Sequence, residues 1–385
     1  MLLSVAVVGL GGCSDAASDP DLDAGDRYVR SAAYRRAVLE QSLVNPANTY
    51  SSLRLASYHE ERWGALPAYN PETARITGAA TTGQDFARLE IAGVPWERDA
   101  LIELGRQAFK RYPLRPRVTL GPLAAEPERY GGLVQDGQHA GLVWTVVADG
   151  RAVPSNTCAT CHVASVGGRW VVGAANAELD MGAATGAALE PAVDRGWGAG
   201  RVDVTSDGVD NPVTTPDIRP VKYQTHLHRA GTVRNGLIAL AIRLETLFIT
   251  SHGEVIRPPR KLMFALALYL HSLAREPVAD DGHPGASVFR ERCAGCHGDD
   301  GVPGPPVPLD AVGTDDTVAR SPERQTGLWR VPSLVGVGDR GALTASGAFR
   351  SLEALLEPDR EGGHLFTQGL DAAQRDALLD YLRTY

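Results

Sequence analysis

Two short runs share one arrangement of side chains, Cys158-Ala159-Thr160-Cys161-His162 and Cys293-Ala294-Gly295-Cys296-His297. Two thiols three positions apart on a helical turn can reach the two vinyl groups of one porphyrin, and the adjacent histidine then falls beneath the iron as its axial ligand. The runs therefore predict two covalently bound haem c groups, held by Cys158 and Cys161 and by Cys293 and Cys296, with His162 and His297 as proximal iron ligands. A bare Cys-x-x-Cys would leave a redox dithiol or half of a zinc site as rivals. A histidine directly after the second cysteine, found twice, weakens both. The chain has five cysteines. The fifth is Cys13, so none is left for a structural disulfide.

The sixth ligands decide what such irons do, because a haem with both axial positions filled passes electrons while an open one binds peroxide or oxygen. No methionine follows Cys296. His364, in the glycine-rich run Glu361-Gly362-Gly363-His364-Leu365-Phe366, is the candidate for the second iron, its bland alternative being an exposed loop histidine. For the first iron the candidates are Met181, His226 and His228, with His139 less favoured. Met181 lies 19 residues after His162, a short return path. His226 and His228 precede a helical run from Val233 to Phe248. Two histidines two positions apart on an extended segment point to opposite sides, so only one of them faces an iron; His228 is slightly preferred. Two bis-histidine haems would have low potentials, since no thioether raises them.

Supporting groups are legible too. A proximal histidine donates its free N–H to a carbonyl, and the proline-rich Pro303–Leu309 loop is expected to supply one to His297. Arg330 and Arg219 are candidates for pairing with haem propionates. Oxygen-bearing side chains alternate from Asp203 to Asn211 around Gly208, resembling part of a Ca2+ loop without its final glutamate; an Asx-rich turn is the better reading. Glu178 and Asp180 are the only carboxylates offered for acid–base work, with plain solvation as their alternative. Trp170 and Trp197 read as packing residues, the alternative being a role in shortening an electron path.

A weak internal repeat says how these groups are positioned. Apolar residues at 101, 104, 105, 108, 109 and 112 mark a helical face containing Gly105 and Phe109. Gly285 and Phe289 recur at that spacing just before Cys293. The closing runs Ala267–Leu273 and Leu379–Tyr385 share a Tyr-Leu pair in register. Two haem motifs, each enclosed by the same opening and closing helices, resemble the class I cytochrome c fold, in which terminal helices cross beside the haem. The implied fold class is mainly α, two cytochrome c-like helical domains in tandem, near 85–278 and 279–385. The first carries a small β-containing insertion, where Gly141–Val147 reads as a strand between turn signals. In such folds the distal ligand comes from the loop before the last helix, which is where His364 stands. Residues 27–84 form an N-terminal helical extension, with Ser31–Leu43 and Tyr58–Tyr69 as helical candidates.

The last third of the chain, through Trp329-Arg330-Val331-Pro332-Ser333-Leu334, the run Ser351–Leu356 and the final helix, resembles the di-haem cytochrome c peroxidase group and its electron-transfer relatives. The resemblance implies that this stretch passes beneath the haem edge. Peroxidase relatives often carry a Pro-Tyr-aromatic-His-Asp-Gly segment after it; Arg340–Phe349 lacks one, which favours electron transfer over peroxide chemistry.

Composition fits this picture. The chain of 385 residues is 43% hydrophobic and 22% charged, an ordinary globular balance with room for two domains. Its net charge of −8 argues against nucleic acid and for repulsion from anionic surfaces. Met1–Gly9 is apolar, and Leu10-Gly11-Gly12-Cys13 resembles a bacterial lipobox, with Cys13 as the acylated residue; the alternative is a frayed end with an accidental cysteine. Ser14–Asp26 reads as a flexible tether. The expectation is a periplasmic protein with redox proteins as partners, held to the envelope by lipid alone.

Overall fold

The computed structural model describes residues 19–58, 64–65, 89–116, 120–135, 137–146, 152–205, 208–251, 256–277, 282–358 and 360–385. Cys13 and the Tyr58–Tyr69 helical candidate beyond Tyr58 fall outside them, apart from the two-residue strand Gly64–Ala65. The architecture is mainly helical with small strand pairs, and no described helix is long and apolar enough to cross a membrane.

Two helix crossings organise the chain. Helix Arg98–Arg111 packs on helix Arg260–Ser272, and helix Ala286–Arg292 packs on helix Ala372–Leu382. At each, a glycine lets the backbones meet. A Cβ on Gly105 would stand 2.1 Å from Ala265 O and 2.7 Å from Tyr269 Cβ; one on Gly285 would stand 2.1 Å from Ala377 O and 2.7 Å from Tyr381 Cβ. One turn later, Phe109 meets Tyr269 with ring centres 5.6 Å apart, and Phe289 meets Tyr381 at 5.3 Å. Both pairs are tilted, an arrangement aromatic quadrupoles favour. The spacing repeat is thus a repeat of packing.

The two crossings differ in what covers them. Helix Ala372–Leu382 buries only Leu378, Tyr381 and Leu382, whereas Leu262 through Leu270 are all buried. A helix apolar all round needs cover on every side, and helix Leu237–Ser251 together with the N-terminal segment provides it. Gly25 sits against the Phe264 ring, where any Cβ would clash, and Trp96 stacks on that ring at 5.5 Å. Residues 19–26, expected as part of a tether, belong instead to this cover. Asp19 caps helix Pro20–Arg30 by accepting from Asp21 N, proline stands in its first turn, and Asp21 and Asp23 oppose Arg27 and Arg30 along it. Acidic, small residues that look unpatterned are here a helix start. Helix Ala32–Ser42 follows, capped by Ser31, and Asn48 caps helix Thr49–Ser57.

Strands serve the first half. Leu142–Val146, Ala152–Asn156 and Arg115–Pro116 form a three-stranded antiparallel sheet, consistent with the strand read from Gly141–Val147. Val163–Val166 and Arg169–Val172 form a hairpin whose Gly167 and Gly168 both have positive φ, as a two-residue turn matched to strand twist requires. The helix expected from Val233 starts later, at Leu237, because Val233–Arg234 pairs with His226–Leu227.

One buried carboxylate ties the extension to the core. Glu245, fully buried, accepts from Tyr28 Oη at 2.9 Å and Tyr58 Oη at 2.6 Å, pairs with Arg257, and lies 3.2 Å from Arg260 Nε. Removing one member of a buried ionic network leaves the others desolvated, so Glu245→Ala should destabilise folding by about 3–5 kcal/mol. Chemical denaturation checks this; a loss under about 1 kcal/mol would mean the network is solvated in solution.

Candidate metal centre

Each Cys-x-x-Cys-His run forms one helical turn. His162 N donates to Cys158 O at 3.0 Å and His297 N to Cys293 O at 3.0 Å. The first turn is reinforced by Thr157, which caps it, and by Thr160 Oγ1, which donates to Gly141 O at 2.7 Å. The inserted sheet therefore holds the first run in place; a Cβ on Gly141 would lie 2.2 Å from Thr160 N.

The two histidines are oriented alike. His162 Nδ1 donates to Pro216 O at 3.1 Å, and His297 Nδ1 donates to Pro332 O at 3.0 Å. A carbonyl can only accept, so each ring has its proton on Nδ1 and its Nε2 lone pair available for a metal. Burial pushes both rings down to about 4, which keeps them neutral. The acceptor for His297 is Pro332, and the expected Pro303–Leu309 loop plays another part: Gly304 N donates to Cys296 O at 2.8 Å and so closes the turn. Burial raises the thiols, Cys158 and Cys293 to about 12 and Cys161 to about 11. A redox dithiol needs the opposite shift. No three His, Cys, Asp or Glu side chains converge on a metal position among the described residues, so a porphyrin supplying the remaining iron ligands suits this donor set better than zinc does.

Around His297 the chain encloses a cavity lined by Cys293, Cys296, Trp329, Val331, Leu356 and His364 among others. His364 faces His297 with ring centres 6.4 Å apart and planes at 63°. Two imidazoles on opposite sides of one metal ion, each bonded at about 2 Å, place their centres roughly 6 Å apart. His364 Nδ1 is buried without a partner among the described residues. The loop holding it is clamped: Arg360 Nη1 donates to Gly363 O at 2.8 Å, Arg360 Nε to Leu355 O at 2.6 Å, and Arg360 Nη2 to His364 O, while His364 N donates to Val312 O at 2.7 Å. Gly363 lies backbone to backbone on Gly313. His364 has φ 64°, a strained conformation that this surrounding structure enforces.

The wall also carries Arg229, Arg330 and Arg340. Burial and mutual repulsion push Arg229 down to about 9 and Arg330 to about 10, and burial lowers Arg340 too. Arg330 Nε is buried with no hydrogen-bond partner among the described residues. Anionic propionates fit this wall. Arg219, the other propionate candidate, is committed elsewhere: it pairs with Asp217 at 2.5 Å and Asp339 at 3.0 Å.

At the first run the structure brings fewer of the expected ligands together. Met181 is buried in the apolar cluster that Cys161 packs against. His228, at φ 61°, accepts from Arg243 Nε at 2.5 Å and meets Tyr50 edge-on at 4.9 Å. His226 Nδ1 lies 3.2 Å from Thr225 Oγ1, and His139 sits on a two-residue strand with Nδ1 buried and unpaired among the described residues. One further histidine holds the matching register. His364 stands 13 positions before Ala377, and His252 stands 13 before Ala265, the matched residue of the other crossing. The shared Tyr-Leu register contained that signal; His252 lies outside the described residues.

The remaining candidates have local roles. Glu178 is exposed and pairs with Arg350 at 2.7 Å, and Asp180 caps helix Met181–Gly186. Asp203 accepts from Thr205 N at 2.8 Å and Asn211 N at 3.3 Å, which makes the described part of the suspected Ca2+ loop an Asx turn. Trp170 packs against the large core and Trp197 against the Met181 cluster.

Residues 283–385 match the family model of cytochrome c. No curated protein and no solved structure matches the chain. A cytochrome c domain carries covalently bound haem c and points to haem-based electron transfer.

With haem bound, His364→Ala should convert the iron above His297 from low spin to high spin, and Arg360→Ala should do so partially by freeing the loop. Low-temperature EPR reads both. An unchanged low-spin signal in His364→Ala would remove His364 as the ligand.

Proposed function

We propose that this chain is a di-haem c-type cytochrome that passes electrons between redox partners in the periplasm. The observation that carries the reading is the His297–His364 pair at 6.4 Å across a cavity bearing a Cys-x-x-Cys-His turn. If His297 and His364 both bind the iron, they would leave no coordination position for peroxide or oxygen, so the residues favour outer-sphere electron transfer at the second iron. Bound haem would supply the one-electron ferric–ferrous couple. The chain holds the irons' histidines in one tautomer, excludes water with Trp329, Val331 and Leu356, and offers cations to the propionates.

A second haem at Cys158 and Cys161 is supported by the matched proline-carbonyl contact of His162 and by the Gly105–Phe109–Tyr269 crossing, which repeats the one inside the matched region. Its sixth ligand is proposed to be His252, by register with His364; His228, the ligand preferred from the sequence, is occupied by Arg243. The periplasmic location and a Cys13 lipid tether rest on the Leu10–Cys13 run and on the export that thioether-linked haem implies.

Haem counting by the pyridine haemochrome method should give two per chain, falling to one in Cys158→Ser/Cys161→Ser and to one in Cys293→Ser/Cys296→Ser. A single haem in the unmutated protein would sink the di-haem reading. His252→Ala should leave one high-spin haem where His228→Ala does not; the reverse result would restore His228. An open haem in the unmutated protein that turns over peroxide would replace the carrier with a peroxidase.

A further inference from the structure

The stretch from Thr215 to Thr225 touches both histidine sites. Pro216 O accepts from His162 Nδ1. Thr225 Oγ1 donates to Gly304 O at 3.2 Å, and Gly304 in turn closes the Cys296 turn. Between them, Arg219 anchors the stretch to Asp339 and, at 3.1 Å, to Gly336 O.

Gln224 makes the most specific contact. Its buried side chain donates from Nε2 to Val331 O at 3.2 Å and accepts at Oε1 from Ser333 N at 3.0 Å. The carbonyl only accepts and the N–H only donates, which settles the orientation of the amide. Ser333 N–H and Pro332 C=O belong to one planar peptide unit. A continuous chain of hydrogen bonds therefore runs from His297 Nδ1–H to Pro332 O, through that peptide to Ser333 N–H, and on to Gln224 Oε1.

We propose that Gln224 is a positioning residue that sets the reduction potential of the haem at Cys293 and Cys296, by fixing and polarising the peptide whose carbonyl accepts from His297. Hydrogen bonds in series strengthen one another. A peptide N–H that is itself bonded makes its carbonyl a better acceptor, and a better acceptor makes the histidine a stronger donor to iron. A stronger donor favours the ferric state and lowers the potential. Loss of the Gln224 contact therefore raises it. The contact comes from the half of the chain that holds the other histidine, so the second site is incomplete without the first half. The inference rests on the haem reading above for the second site alone and does not need the first haem.

The test is spectroelectrochemical titration of the holo-protein bearing Gln224→Met, which keeps the side chain's length and removes both hydrogen bonds. The ferrous-to-ferric ratio of the second haem at a fixed applied potential should rise about tenfold, the scale of effect seen when a group supporting a metal ligand is removed. In the His364→Ala background, the iron–histidine stretch of the ferrous form by resonance Raman should move to lower frequency. An unchanged midpoint and stretch in a variant carrying its haem overturns the proposal. Should Gln224→Met fail to take up haem, Gln224→Glu decides, because it retains the acceptor for Ser333 N–H: a midpoint at or below that of the unmutated protein supports the proposal, and one above it overturns it. Repeating the titration in Cys158→Ser/Cys161→Ser keeps the result independent of the haem count.

Discussion

The histidine that ends each Cys-x-x-Cys-His turn hangs on one hydrogen bond to a proline carbonyl, and the side chains around it keep those two carbonyls still. Proline fixes its own φ and leaves ψ free, so the direction of its carbonyl depends on what surrounds it. The bond then settles the tautomer, and the tautomer settles which nitrogen meets iron. Pro216 and Pro332 sit in irregular backbone with no ladder to hold them. Their support comes from side chains: Arg219 beside Pro216 is locked to Asp217, and Gln224 brackets Pro332.

The helix crossings do the coarser work. A glycine at the contact and an aromatic pair one turn later bring two helices into close packing beside each Cys-x-x-Cys-His turn. The second crossing does this with little else, and helix Ala372–Leu382 keeps an exposed face. The first has its closing helix buried along Leu262–Leu270, with helices Leu237–Ser251 and Pro20–Arg30 packed on it and the Glu245 network tying them together. The same device therefore sits in two different degrees of burial.

Much of this was legible in the residues themselves. Cys-x-x-Cys-His is a local motif whose chemistry depends on spacing alone, and Gly105, Phe109 and Tyr269 against Gly285, Phe289 and Tyr381 is a periodic signal that survives divergence. His364 could be picked out because few residues in the last ninety could ligate iron. What escaped the sequence were contacts between distant segments. Pro332 lies 35 residues from His297 and Pro216 lies 54 from His162, and no local pattern marks either as an acceptor. Arg219 and Arg330 look equivalent in sequence; only the fold shows that one is consumed by Asp217 and Asp339 while the other lines the cavity. The cap at Asp19 was hidden by composition, since the acidic residues that begin a helix also suggest a tether.

The cavity wall adds an electrostatic argument. The chain is acidic as a whole, with a net charge of −8, yet Arg229, Arg330 and Arg340 line one cavity, where burial lowers the proton affinity of all three and Arg340 lowers that of Arg229 and Arg330 further. Asp217 stands 3.8 Å from Arg340 and is already shared with Arg219. Charges drawn out of water need compensation, and the propionates of a haem in this cavity would supply it. Haem would then be part of the charge balance of the fold as well as its redox centre. Beside a haem the same cations would favour the ferrous state, opposing two histidine ligands, which would favour the ferric one. The potential would then be a difference between two local effects, and a small contact such as that of Gln224 would have room to move it.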